Sequence, residues 1–134
     1  LCIIKSRGIS GGPGAPEKSR NAIAQLLRTI GEISFTQSSV REFIKFINDN
    51  IGQEFNGQSL GIKMADDVSG SLKVNLGQAN FDEKKGCITL DIRYPVTKTE
   101  KEIIQKLNKK IEINKLILKK TKGNPRFLFQ KIIF

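Results

Sequence analysis

Leu72-Lys73-Val74-Asn75-Leu76-Gly77 and, a short turn later, Cys87-Ile88-Thr89-Leu90-Asp91-Ile92-Arg93-Tyr94 alternate apolar and polar side chains with a period of two. Successive side chains of an extended chain point to opposite faces, so Leu72, Val74 and Leu76 share one face, as do Ile88, Leu90 and Ile92. Lys73, Asn75, Thr89, Asp91 and Arg93 then lie on the other face, while the parity of Tyr94 puts it with the core. Residues 80–85 supply the connection. The two segments therefore read as neighbouring antiparallel strands with one buried and one polar face, and Pro95 stops the second.

Working outward, Thr99-x-x-Glu102 is a capping box that opens a helix with Ile103, Ile104, Leu107 and Ile111 inside, and residues 113–119 read as a last strand. Upstream, Ser39-x-x-Glu42 opens a helix burying Val40, Phe43, Ile44, Ile47 and Ile51 before Gly52. Ser19 caps an earlier helix with Ala22, Ile23, Leu26, Leu27 and Ile30 on one face, ended by Gly31. Residues 8–16, rich in Gly and Pro, form a loop, and residues 1–7 read as a strand with a buried first half. Residues 54–70 are loop with a short extended piece at 60–64. The order strand, helix, helix, strand, strand, helix, strand, with one helix set aside, is the split β-α-β of an α+β, ferredoxin-like two-layer sandwich, an antiparallel sheet with helices on one face. Residues 1–120 make that domain. Residues 121–134 fit no element of it: they read as a basic, apolar-ended tail that needs a partner surface or stays disordered.

The chain has 134 residues, with 23 Lys plus Arg against 13 Asp plus Glu, a net charge of +10, and no His. That length suits one domain and is too short for a two-domain enzyme. Without His the chain lacks the commonest zinc ligand and the usual general base near neutral pH, which argues against a self-sufficient metallohydrolase or Ser-His hydrolase. Residues 1–100 carry 13 basic and 11 acidic side chains, whereas the last 34 carry 10 and 2, so +8 of the excess is local to residues 101–131. A solvated helix face and tail explain it better than a phosphate-binding stripe. Cys2 and Cys87 lie in apolar runs without C-x-x-C spacing, which favours buried thiols in a reducing compartment over a disulfide. No signal peptide or membrane-length apolar run is present, so the expected location is cytoplasmic, with no membrane partner. A chain opening on Leu1 instead of Met reads as a fragment.

Several blocks together resemble a known family. Gly8-Ile-Ser-Gly-Gly-Pro-Gly-Ala-Pro-Glu-Lys-Ser-Arg-Asn-Ala-Ile23 is similar to the lid-domain signature G-x-x-x-H-G-S-x-P-E-x-G-x-N-A-I of aminoacylase-type zinc metallopeptidases. Phe43-Ile-Lys-Phe-Ile-Asn48, Gly57-Gln-Ser-Leu-Gly-Ile62, Ser69-Gly-Ser-Leu-Lys-Val-Asn-Leu-Gly77 and Leu90-Asp-Ile-Arg-Tyr-Pro-Val96 resemble the PepV and carnosinase-like dipeptidase branch. The blocks keep the family's order over residues 1–112. The resemblance implies a lid, or dimerisation, domain of a dipeptidase whose separate catalytic domain binds two zinc ions; this chain would hold no cofactor itself. It implies as partners that catalytic domain of the same parent chain, a dipeptide substrate and a second copy in a homodimer. Residues 121–134 would re-enter the catalytic domain.

Arg93 matches the family's Arg that binds the substrate's C-terminal carboxylate, a task suited to a planar fork that donates two parallel hydrogen bonds. Its place on the polar face agrees with that role. Asn75, on the same face, is a second candidate for binding peptide. Gly12 stands where the family has a His that helps polarise the scissile carbonyl, and Pro13 follows where it has Gly. No catalytic residue is therefore assigned within this chain, which alone is expected to be inactive. Asp66 and Asp67 read as solvated or capping acids and not as a metal site. Gly11-Gly-Pro-Gly14 lacks the Lys and Ser/Thr of a phosphate-binding loop. A competing reading is a ferredoxin-like RNA-binding module using the basic C-terminal helix and tail. The polar face of the hairpin offers it no aromatic platform, so nucleic acid is the less favoured partner.

Overall fold

The computed structural model describes residues 1–11, 16–82, 84–124 and 127–134, with residues 16 and 120–131 described by their backbone. Among the described residues three α-helices, α1 (Ala22–Ile30), α2 (Ser38–Asn50) and α3 (Glu100–Ile113), accompany six strands. The strands are β1 (Ala65–Asp66), β2 (Gly70–Ser71), β3 (Lys73–Phe81), β4 (Gly86–Arg93), β5 (Ile117–Asn124) and β6 (Phe127–Ile133). β1 and β2 form a small ribbon, and the other four make one antiparallel sheet in the order β3-β4-β6-β5. The architecture is the expected α+β, two-layer sandwich.

Alternation builds the core. Val74, Leu76, Ile88, Leu90 and Ile92 are all buried on one face of the β3–β4 hairpin, with Leu72 just before it, and they pack with Phe43, Ile44 and Ile47 of α2 and Ile103, Leu107 and Ile111 of α3. The alternation of β3 changes phase at Gly77. A register shift there lets Leu76 pair with Leu90 and Gln78 with Thr89, so that beyond the bulge it is Ala79 and Phe81 that turn to the core. Asp82 closes the hairpin by accepting the N–H groups of Lys84 and Lys85 on Oδ1, at 2.8 and 2.9 Å. Those two bonds hold its carboxyl below the usual range. Gly86 is buried against Phe43 and Phe81, where a Cβ would lie 2.5 to 2.8 Å from ring carbons. The rings of Phe81 and Phe134 each lie with their centroids 4.7 Å from that of Phe43, so the backbone at Gly86 has room for no side chain.

Four expectations change. Residues 1–7 form no strand: Leu1, Ile3 and Ile4 are exposed, and among the described residues the sole pairing of the N-terminal segment is an isolated bridge between Ile9 and Arg20. Cys2 is accordingly exposed and not a buried thiol; both cysteines are free. Residues 121–134 are not a tail outside the fold, because residues 121–124 complete β5 and residues 127–133 form β6, which lies between β4 and β5. That slot beside β4 is the one a split β-α-β arrangement gives to the first strand. The basic segment is thus a helix and a β-hairpin, and Ile132 is fully buried. The last strand starts at Ile117, not at 113, since α3 runs on to Ile113 and Lys115, at φ 56°, turns the chain.

The caps differ in two helices of three. The backbone of Arg20 exchanges 2.9 Å hydrogen bonds with Ile9, which keeps it extended, so α1 cannot begin at Ser19 and is capped by Asn21 instead, whose Oδ1 accepts the Ala24 N–H at 3.0 Å. Gln37, not Ser39, is the N-cap of α2, without a side-chain bond. The Thr99–Glu102 capping box of α3 is present in both directions. No helix among the described residues is long and apolar enough to cross a membrane.

Candidate functional site

Where β3 begins and β4 ends, their polar faces floor a groove of about 350 Å³. Register sets Lys73 opposite Arg93 and Asn75 opposite Asp91. All four line the groove, and residues 9–11, residues 19–21 and Phe55 make its wall. The structure therefore brings together Arg93 and Asn75, the two side chains singled out by sequence, and both are exposed at the groove. Gly12 and Pro13 lie outside the described residues.

The wall is fastened to the floor by Asn21, which sequence reasoning passed over as a site residue. Its Nδ2 donates to Asn75 Oδ1 at 3.0 Å and to the Leu76 carbonyl at 2.8 Å. Its backbone N–H donates to Gln53 Oε1 at 3.0 Å, and its carbonyl accepts from Gln53 Nε2 at 3.1 Å. With Oδ1 also capping α1, all its polar groups are engaged. The available signal was an Asn directly before a helical apolar period, a stronger N-cap than Ser19 once residues 16–18 form a turn of their own. Because Asn21 donates to Asn75 Oδ1, the Nδ2 of Asn75 is the group left to serve a ligand in the groove, as a donor, the polarity an oxygen-rich ligand needs. The Asp91 Oδ1 atom is buried without a hydrogen-bond partner among the described residues.

Behind Arg93 the chain is pinned by the first of the two adjacent acids. Asp66 Oδ1 accepts from Ser69 N–H at 2.5 Å and Ser69 Oγ at 2.8 Å. Its Oδ2 accepts from Thr97 N–H at 3.0 Å and Thr97 Oγ1 at 2.9 Å. Ser69 Oγ in turn accepts from Val96 N–H at 2.9 Å. Partial desolvation pushes the Asp66 pKa up, but the N–H groups and hydroxyls of Ser69 and Thr97 outweigh it and hold the carboxyl well below the ordinary range. Asp66 thus ties the β1–β2 turn to the segment leaving β4, which fixes the strand end that carries Arg93. No group of three or more His, Cys, Asp or Glu that could hold a metal occurs among the described residues.

No family model matches the chain. It is similar to a putative dipeptidase of Staphylococcus haemolyticus, with 32% identity over 98 residues that make up 72% of this chain and 21% of that protein. It is likewise similar to the putative dipeptidase YtjP of Bacillus subtilis, at 28% identity over 75% of this chain and 22% of that protein. A putative dipeptidase of Staphylococcus epidermidis aligns at 27% identity over 60% of this chain and 17% of its own length. The chain is thus related to a part of proteins named as dipeptidases, and spans about a fifth of the length of these relatives.

Proposed function

We propose that this chain is the lid portion of a zinc-dependent dipeptidase, in which Arg93 binds the C-terminal carboxylate of the peptide and Asn75 donates a hydrogen bond to it. The observation that carries the reading is the groove that gathers Arg93, Asn75 and the Asn21 brace in a chain similar to part of named dipeptidases. A guanidinium on a strand end, with the segment that follows it tied down by Asp66, suits a carboxylate, which it meets through two parallel hydrogen bonds. The described residues offer no metal site, so the two zinc ions belong in this reading to a separate catalytic domain, and no step of hydrolysis is assigned here. Self-association would use a sheet edge. β5 is rich in Lys, which blunts an edge, whereas residues 77–81 of β3 carry no charge; sedimentation at increasing concentration tests this.

The experiment is an NMR titration of the 134-residue chain with Ala-Ala and with its C-terminal amide. Shifts at Arg93 and Asn75 are expected with the acid, at least about tenfold weaker binding with the amide, and a similar loss in Arg93→Met. Equal binding of acid and amide overturns the carboxylate role. Zinc-dependent hydrolysis by this chain alone overturns the assignment as a lid.

A further inference from the structure

The groove holds more positive charge than one carboxylate requires. Arg20, Lys73 and Arg93 line it against the single acid Asp91. Lys73 and Arg93 are direct cross-strand partners on the polar face. Side chains placed so have Cβ atoms about 5 Å apart, and like charges there destabilise a sheet. A fold that needed only a solvated face would alternate the signs, as α2 does with the Lys45–Asp49 pair at 2.5 Å. Two adjacent cations at the mouth of a groove are instead suited to a ligand with two anionic groups close together.

We propose that Lys73 is a specificity-determining residue and that the groove favours dipeptides whose C-terminal residue is acidic. This rests on the carboxylate role of Arg93 proposed above. Arg93 takes the main-chain carboxylate, and Lys73 takes the carboxylate of a C-terminal Asp or Glu side chain, with Arg20 adding positive potential at the wall. The charges agree: a zwitterionic dipeptide with a neutral side chain carries no net charge, and one ending in Glu carries −1 into a groove whose four charged residues sum to +2.

The test titrates the chain with Ala-Glu and with Ala-Gln, which differ by one charge and almost nothing in shape. Ala-Glu is expected to bind about tenfold more tightly at low salt, with the ratio shrinking as salt is added. In Lys73→Met the ratio falls towards one, and in Lys73→Arg it is retained; amide spectra of both variants verify that they fold. Equal binding of the two peptides by the parent chain, or a preference that survives Lys73→Met, overturns this inference and leaves Arg93 as a carboxylate site. Failure of both peptides to bind overturns the role of Arg93 as well.

Discussion

Two apolar segments, residues 1–9 and residues 127–133, have much the same strand-forming composition and opposite fates. The first carries Leu1, Cys2, Ile3, Ile4 and Ile9 and among the described residues is paired only through the Ile9–Arg20 bridge, while the second lies in the middle of the sheet. Composition does not separate them; connection length does. β6 follows β5 after residues 125–126, so their pairing is a local hairpin, whereas residue 7 must close a loop of nearly eighty residues to reach β4. At (3/2)RT ln n, the difference is on the order of 3 kcal/mol in favour of the hairpin, enough to decide between segments of similar apolar content.

The largest effect should separate the segments by truncation. Ile132 is 0% exposed and Ile3 72%. Ile132→Ala is expected to cost about 2–5 kcal/mol in urea unfolding, and Ile3→Ala no more than about 0.5 kcal/mol. Equal losses would mean that residues 1–7 share the sheet in solution. Next in size is Gly86→Ala, which challenges the seat of the C-terminal segment. Gly86 accepts the Phe134 N–H at 2.9 Å, and a methyl there would push the Phe43 ring from its place. A loss of about 1–3 kcal/mol is expected, with no protection gained by residues 1–7 in hydrogen exchange.

A smaller effect lies at Asp66, whose fastening, unlike that of either segment, is charge-based. Its folded pKa is lowered, so its stabilisation is present above the ordinary Asp value of about 4 and drains away as pH falls below it. Asp66→Asn should therefore be less stable than the parent near neutral pH, the gap closing in acid; a gap independent of pH would show that charge is not the cause. Least in size, and most direct, is thiol labelling. The exposed Cys2 should react in the folded protein well before the half-buried Cys87, and protection of Cys2 would place residues 1–7 in a strand.

Much of this was legible. The β3–β4 hairpin, the apolar faces of the three helices and the capping box of α3 follow from local periodicity and local hydrogen bonding, and the polar face that unites Arg93 with Asn75 follows from parity alone. What was not legible depends on distant partners. Nothing local in residues 1–7 says that a later segment fills the neighbouring slot, and nothing in residues 121–134 says that they supply it. Ser19 is a sound cap by composition, and loses that place only because Arg20 is held extended by Ile9. Asp66 could be read as capping, but that it reaches Thr97, thirty-one residues on, required the fold.

The phase change at Gly77 gives β3 two reading frames in one strand. Val74 and Leu76 belong to the first, Ala79 and Phe81 to the second. Deleting one residue at the bulge would not shorten the strand so much as merge the frames. It would leave Phe81 opposite Gly86 and on the core face, because strict alternation from Leu76 then runs straight through to Phe81, and the groove residues Lys73 and Asn75, upstream of the bulge, would keep their face. The binding half and the packing half of β3 can thus be edited separately, with Gly77 as the punctuation between them.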